Sequence, residues 1–166
     1  IEAVEVRPEV SGKIVRINFE DGQLVTAGML LFSLDSEIER AQYNEAMANL
    51  RASERNRPRI MELASKQLIS KSEAENALNT AEVAAAQAQS AKARLAKMQI
   101  RAPFEGVVGL RQVSIGAYVN AGQVLVELVR LNPLEVEFQV PESQVARLAT
   151  GQSVQVQLDA LPSVSF

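Results

Sequence analysis

The chain has 166 residues, 47% of them hydrophobic and 22% charged, with a net charge of −3. Its mean hydropathy is −0.01, a soluble composition with room for one compact domain or two or three small modules. Cysteine, histidine and tryptophan are absent, which excludes disulfides, thiolate or imidazole metal sites and an imidazole-based catalytic triad, and leaves only carboxylate or Ser/Lys chemistry conceivable. No apolar run approaches the roughly 18 residues of a membrane span, and the mild acidity offers no field for nucleic acid. The start at Ile1 rather than Met reads as a processed product or an excised fragment.

Residues 1–34 are rich in Val, Ile, Leu and Gly and predict short strands joined by turns. Val15, Ile17 and Phe19 alternate with Arg16, Asn18 and Glu20, the period of a half-buried strand, and Asp21-Gly22 follows as its turn. Gly28 closes a second short stretch before the apolar run Leu30-Leu31-Phe32.

Residues 35–99 contain no glycine and are dense in Ala, Glu, Gln, Arg and Lys, a helical composition. Ser36 with Glu39 predicts a capping box at the start of a first helix, and Ser70 with Glu73 predicts one at the start of a second. Lys66-Gln67-Leu68-Ile69 is the reversal between them. Helices over 36–66 and 71–98 would be about 46 and 42 Å long, so an antiparallel hairpin returns the chain to where it left. In the second helix Ala77, Ala81, Ala84, Ala88, Ala91, Leu95 and Met98 follow a 4-3 spacing, the seam of a coiled coil. In the first, Tyr43, Met47, Leu50, Met61, Ala64 and Leu68 fit one seam, interrupted by Glu54 and Arg57, and Pro58 predicts a bend or break near residues 56–59. A solitary hairpin with an alanine seam buries little apolar area, so the expectation is a hairpin projecting from the β module and stabilised by copies of itself or by a partner.

The second glycine-bearing zone, residues 100–130, repeats the first. A shift of 94 positions aligns Gly12 with Gly106, Gly22 with Gly116 and Gly28 with Gly122, and pairs Arg7 with Arg101, Val25 with Val119, Ala27 with Ala121, Leu31 with Leu125 and Leu34 with Leu128. Each half is about 30 residues, too small to bury its apolar face alone, so the two must pack on one another as layers. Beyond the repeat, Leu134, Val136, Phe138 and Val140 alternate as a strand, Pro141-Glu142-Ser143 opens a short helix stopped at Gly151, and residues 153–158 alternate again.

Two glycine-punctuated halves of this pattern resemble the biotinyl/lipoyl domain. In the carrier proteins of that family a lysine at the hairpin between the halves holds the prosthetic group; here the joint reads Leu34-Asp35-Ser36, without lysine, and is opened by the helical block. The split arrangement resembles the periplasmic adaptor family (membrane fusion proteins, HlyD-like) of tripartite RND-type multidrug efflux pumps. That resemblance implies an elongated, multi-domain α+β chain: a split lipoyl/biotinyl-like β-sandwich with an inserted antiparallel coiled-coil α-hairpin, plus a partial β-barrel. Its expected division is 1–34 with 100–130 as the lipoyl-like (barrel-sandwich hybrid) domain, 35–99 as the hairpin, and 131–166 as the incomplete start of the barrel.

Around the reversal, Arg51, Arg55, Arg57, Arg59, Lys66 and Lys71 outnumber Glu54, Glu62 and Glu73. Adaptors of the family that dock TolC-type outer-membrane channels carry an Arg-x3-Leu-x6-Ser pattern at the tip, which Arg59, Leu63 and Ser70 match here. The resemblance makes these three the partner-binding residues. It implies an inner-membrane RND-type transporter as second partner, self-association into trimer or hexamer rings, and a periplasmic location with attachment to the inner membrane through a segment outside this chain. It implies no catalytic, metal or cofactor residues and no nucleic-acid partner. Two other readings stand beside it: an adaptor of an ABC-type or metal efflux system, for which no His or Met cluster speaks, and a biotin or lipoyl carrier, against which the missing joint lysine speaks.

Overall fold

The computed structural model describes residues 2–130 and, beyond them, 139, 141, 149, 151–152, 157–158 and 161–165. The chain divides into two compact units, Ile1–Leu134 and Glu135–Phe166. In the first, β1 (Glu2–Val6), β2 (Gly12–Ile17), β3 (Leu24–Val25) and β4 (Leu30–Leu34) precede helices α1 (Glu37–Ser65) and α2 (Lys71–Lys97). After them come β5 (Gln99–Arg101), β6 (Gly106–Val108), β7 (Tyr118–Val119) and β8 (Val126–Arg130).

The strands form two four-stranded sheets, ordered β1-β8-β6-β3 and β5-β4-β2-β7. Each sheet takes two strands from before the helices and two from after them, and the 94-residue shift carries one sheet order onto the other. The repeat is therefore built by exchange: neither half makes a sheet of its own. Hydrogen bonds follow the same rule. The Gly22 N–H donates to the Val108 carbonyl at 2.9 Å and the Gly116 N–H to the Ile14 carbonyl at 2.8 Å. Arg7 Nη1 donates to the Gly122 carbonyl at 2.8 Å, and its repeat partner Arg101 donates to the Gly28 carbonyl at 2.9 Å. Gly22, Gly28, Gly116 and Gly122 all have φ between 79° and 89°, a conformation that side chains resist, which explains why glycine recurs in register.

One core lies between the sheets, with Ile14, Leu31, Phe32, Val108, Val119, Leu125, Val126 and Leu128 fully buried. Phe19 meets Phe32 edge to face, ring centroids 5.1 Å apart. The expected alternation in β2 is out of phase. Val15 is 47% exposed and Ile14 is buried, because a register irregularity between Ile14 and Arg16 reverses the inward face before Ile17 and Phe19.

The helices pack on each other, and α2 meets the sheets where it runs into β5. In α2 the predicted seam holds as far as Leu95: Ala84 and Ala88 are buried and Ala77, Ala81, Ala91 and Leu95 half-buried, while Met98, its last expected position, caps the helix and lies in the sandwich core. In α1 the seam differs. Tyr43, Met47, Leu50 and Ala64 are half-buried, but Met61 is 48% and Leu68 66% exposed, and Ser53, Ile60 and Leu63 take the inward positions. No break occurs at Pro58, which lies inside a continuous helix. Pro58 removes the amide that would bond the Glu54 carbonyl, and both residues are exposed.

The Ser36 capping box does not form. Ser36 is the N-cap residue without a side-chain bond, and the Glu37 N–H is instead met by Asp35 Oδ1 at 3.3 Å. The preceding carboxylate occupies the place expected for the hydroxyl, with an added favourable charge at the helix start.

In the second unit β9 (Gln157–Leu158) pairs antiparallel with β10 (Leu161–Ser165). The strand expected over 134–140 and the short helix after it lie outside the described residues. Gly151, expected to stop that helix, sits in a turn with φ 87°, closed by the Gln152 N–H on the Ala149 carbonyl.

Candidate functional site

The turn between the helices is assembled from both sides. The Leu68 N–H donates to the Leu63 carbonyl at 2.9 Å and the Gln67 N–H to the Ala64 carbonyl at 3.0 Å, the bond pair of a Schellman ending. That motif needs a left-handed residue, a place usually taken by glycine. Gln67 fills it with φ 58°, a strained choice for a residue with a side chain. The absence of a glycine is what concealed the turn's geometry in the sequence.

On the far side the predicted capping box of Ser70 and Glu73 is complete. The Glu73 N–H donates to Ser70 Oγ at 3.1 Å, while Glu73 Oε2 accepts from the Ser70 N–H at 2.8 Å and from its hydroxyl at 2.9 Å. The Ser70 N–H and then its hydroxyl hold the Glu73 carboxyl below the usual carboxylate range, outweighing a small opposing effect of desolvation. A depressed carboxyl adds stability that is complete above its unfolded pKa and disappears as pH falls through the folded one. The first turn of α2 is therefore expected to stay protected from amide exchange at neutral and mildly acidic pH and to loosen only below the ordinary glutamate range. Glu73→Gln, which keeps an acceptor in place, removes the pH dependence; exchange at residues 71–74 measured against pH checks this.

Each of the three sequence-predicted residues falls at this end of the hairpin. Arg59 is exposed on α1, Leu63 is half-buried in its last turn, and Ser70 is exposed at the start of α2. Lys66 is paired with Glu62 at 2.5 Å and Lys71 with Glu75 at 3.7 Å. Arg51, Arg55, Arg57 and Arg59 form no ion pair among the described residues, so the positive excess near the tip sits on arginine, whose planar donors suit carboxylates and carbonyls. Among the described residues no three His, Cys, Asp or Glu side chains converge on a point that a metal could occupy.

The two sheets and the hairpin inserted between their repeats are matched as a unit. Residues 2–131 fit the family model described as RND MFP, barrel-sandwich hybrid domain. The chain belongs to the RND membrane fusion proteins. Among its relatives, a Haemophilus influenzae protein of unstated function is 31% identical over 94% of this chain and 41% of its own length. The multidrug resistance protein MdtA of Escherichia coli K12 is 31% identical over 90% of this chain and 40% of its own. The chain thus spans about two-fifths of the length of the curated relatives it matches.

Two solved structures share the fold of this membrane fusion protein over its whole length. A putative efflux transporter of Bacteroides eggerthii superposes with a TM-score of 0.86 at 26% identity and is 51% covered. A MacA–MexA chimera carrying the α-hairpin domain of Pseudomonas aeruginosa MexA gives 0.85 at 27% identity and is 61% covered. The fold is accordingly a split lipoyl-like sandwich with an inserted antiparallel α-hairpin. Among the described residues no helix is long and apolar enough to cross a membrane.

What sequence reasoning missed are Arg7 and Arg101. They were visible as an identical pair in the repeat, yet their role, each reaching the glycine turn of the other half, depends on the exchange of strands.

Proposed function

We propose that this membrane fusion protein is the periplasmic adaptor of a tripartite RND-type efflux pump, joining an inner-membrane transporter to a TolC-type outer-membrane channel. The observation that carries this reading is a hairpin inserted at the joint of the doubled sandwich, with Arg59, Leu63 and Ser70 gathered at its free end. In this reading residues 1–34 and 100–130 form the lipoyl-like domain, 35–99 the docking arm, and 131–166 open a β-barrel. The chain acts without catalysis, as one protomer of a ring that lines a conduit and is held at the inner membrane by a segment outside residues 1–166.

Ser70 brings a particular chemistry to the contact. Its hydroxyl proton is directed to Glu73, so it offers the partner a lone pair, while Arg59 offers donors and Leu63 an apolar edge. Arg59→Ala is expected to weaken assembly with the channel by on the order of tenfold, as a central arginine anchor does, and the triple variant at Arg59, Leu63 and Ser70 to abolish it. The chain has no cysteine, so single cysteines at 63 and 70 give clean crosslinks in cells, expected to capture the channel. Normal docking by the triple variant would discard the reading.

A further inference from the structure

Each end of the hairpin is tied to the sandwich through its backbone. α2 enters β5 without a loop: Met98 is its C-cap, its side chain lies in the sheet core, and its carbonyl accepts the Leu34 N–H at 2.8 Å. α1 starts from Asp35-Ser36, where the Asp35 N–H donates to the Lys13 carbonyl of β2 at 2.8 Å and Asp35 Oδ1 accepts the Glu37 N–H at 3.3 Å.

On the last turn of α2, Lys97 Nζ lies 2.9 Å from Glu9 Oε2, in the connection between β1 and β2. Both residues line an open groove of about 380 Å³, together with Glu5, Arg7, Gln99 and Arg101. The two arginines are directed elsewhere, Arg7 to Gly122 and Glu5, Arg101 to Gly28 and Gln99, so Lys97 is the ion-pair partner of Glu9 among the described residues. The repeat supplies a control within the molecule. Shifted by 94 positions, Lys97 and Glu9 correspond to Ala3 and Pro103, neither of them charged. The ion pair is thus no part of the doubled architecture and occurs only where the hairpin leaves it.

We propose that Lys97–Glu9 is a releasable ionic brace that sets the inclination of the hairpin on the sandwich. Closed, it ties the last turn of α2 across the groove; opened, it leaves the hairpin anchored at Met98 and Asp35, with the open groove beside that turn. The side chains are 46% and 70% exposed, within reach of screening by salt.

Spin labels on cysteines introduced at Ser72 and Glu105 in the otherwise cysteine-free chain report the inclination as a distance distribution. At about 0.1 M salt the wild type should give one narrow peak. Lys97→Gln or Glu9→Gln should each raise the population away from that peak about two- to fivefold, the range an exposed pair allows. The double variant should go no further than either single one. Salt at about 1 M should broaden the wild type and leave the double variant unchanged. Single variants that superimpose on the wild type, or whose effects add, would overturn the brace. So would a fall in the sandwich's melting temperature that tracks the broadening, since the pair would then be an ordinary structural bond. No channel takes part in these measurements, so their outcome is independent of the docking reading.

Discussion

Gly106→Ala is expected to lower the melting temperature of the β-sandwich by on the order of 15 °C, a loss of about 3 kcal/mol in a module of this size. A Cβ at Gly106 would stand 2.4 Å from the Val129 carbonyl oxygen and 3.3 Å from a Leu128 methyl group. The obstacle is backbone, and it belongs to the strand that β6 pairs with, through Val107–Val129 and Val108–Leu128. Relief therefore requires β6 and β8 to separate in the middle of their sheet, where both Val108 and Leu128 are fully buried. The comparison that makes this sharp is Gly12→Ala at the equivalent position of the other half. There a Cβ would meet only the Leu34 side chain at 3.4 Å, an ordinary contact, and the change should stay within about 0.5 kcal/mol of wild type, helped by the lower backbone entropy of alanine in a strand. Thermal melts of the two variants check both values; equal losses would mean that the β6–β8 register is misassigned.

The difference between those two glycines marks the limit of what the sequence discloses. By residue identity Gly12 and Gly106 are the same position, and the repeat makes them look equally required. Val129, which crowds Gly106, corresponds to Asp35, the residue at which the chain turns out of the sheet into the hairpin. There the chain leaves β4 for the hairpin, and the nearest neighbours of a Cβ at Gly12 are Leu34 side-chain atoms rather than backbone. Where a feature follows from local chemistry, as with the positive-φ glycines, the Ser70–Glu73 box and the alanine seam of α2, it was readable in advance. The seam of α1 was only partly so. Its inward positions include Ser53 and its exposed ones Met61 and Leu68, so apolarity alone does not mark the inward face there. Pro58 likewise announced a break, and the helix runs on through it. Of the candidate site, the three residues and the reversal were legible. The left-handed Gln67 was not, since no propensity points to it, and neither was Lys97–Glu9, whose partners meet only after the sheets have formed.

Ala88→Asp is expected to unzip the hairpin while sparing the sandwich. Ala88 is 4% exposed at the alanine seam. An aspartate there is too short to bring its charge to water, and an unpaired buried charge costs about 3 kcal/mol or more. Amide protection in α1 and α2 should fall by roughly two orders of magnitude, the exchange equivalent of that cost. Met98, Ile100 and the sheet strands should keep theirs, because neither Ala84 nor Ala88 belongs to the core that holds the sheets together. Ala88→Ser separates charge from volume. Its hydroxyl can bond to the carbonyl one turn back, and the hairpin should remain closed. If the aspartate variant lost protection equally in helices and strands, hairpin and sandwich would form one cooperative unit. Selective loss instead makes the hairpin a separately adjustable arm, and only such an arm can change its inclination at a brace while the sandwich stays intact.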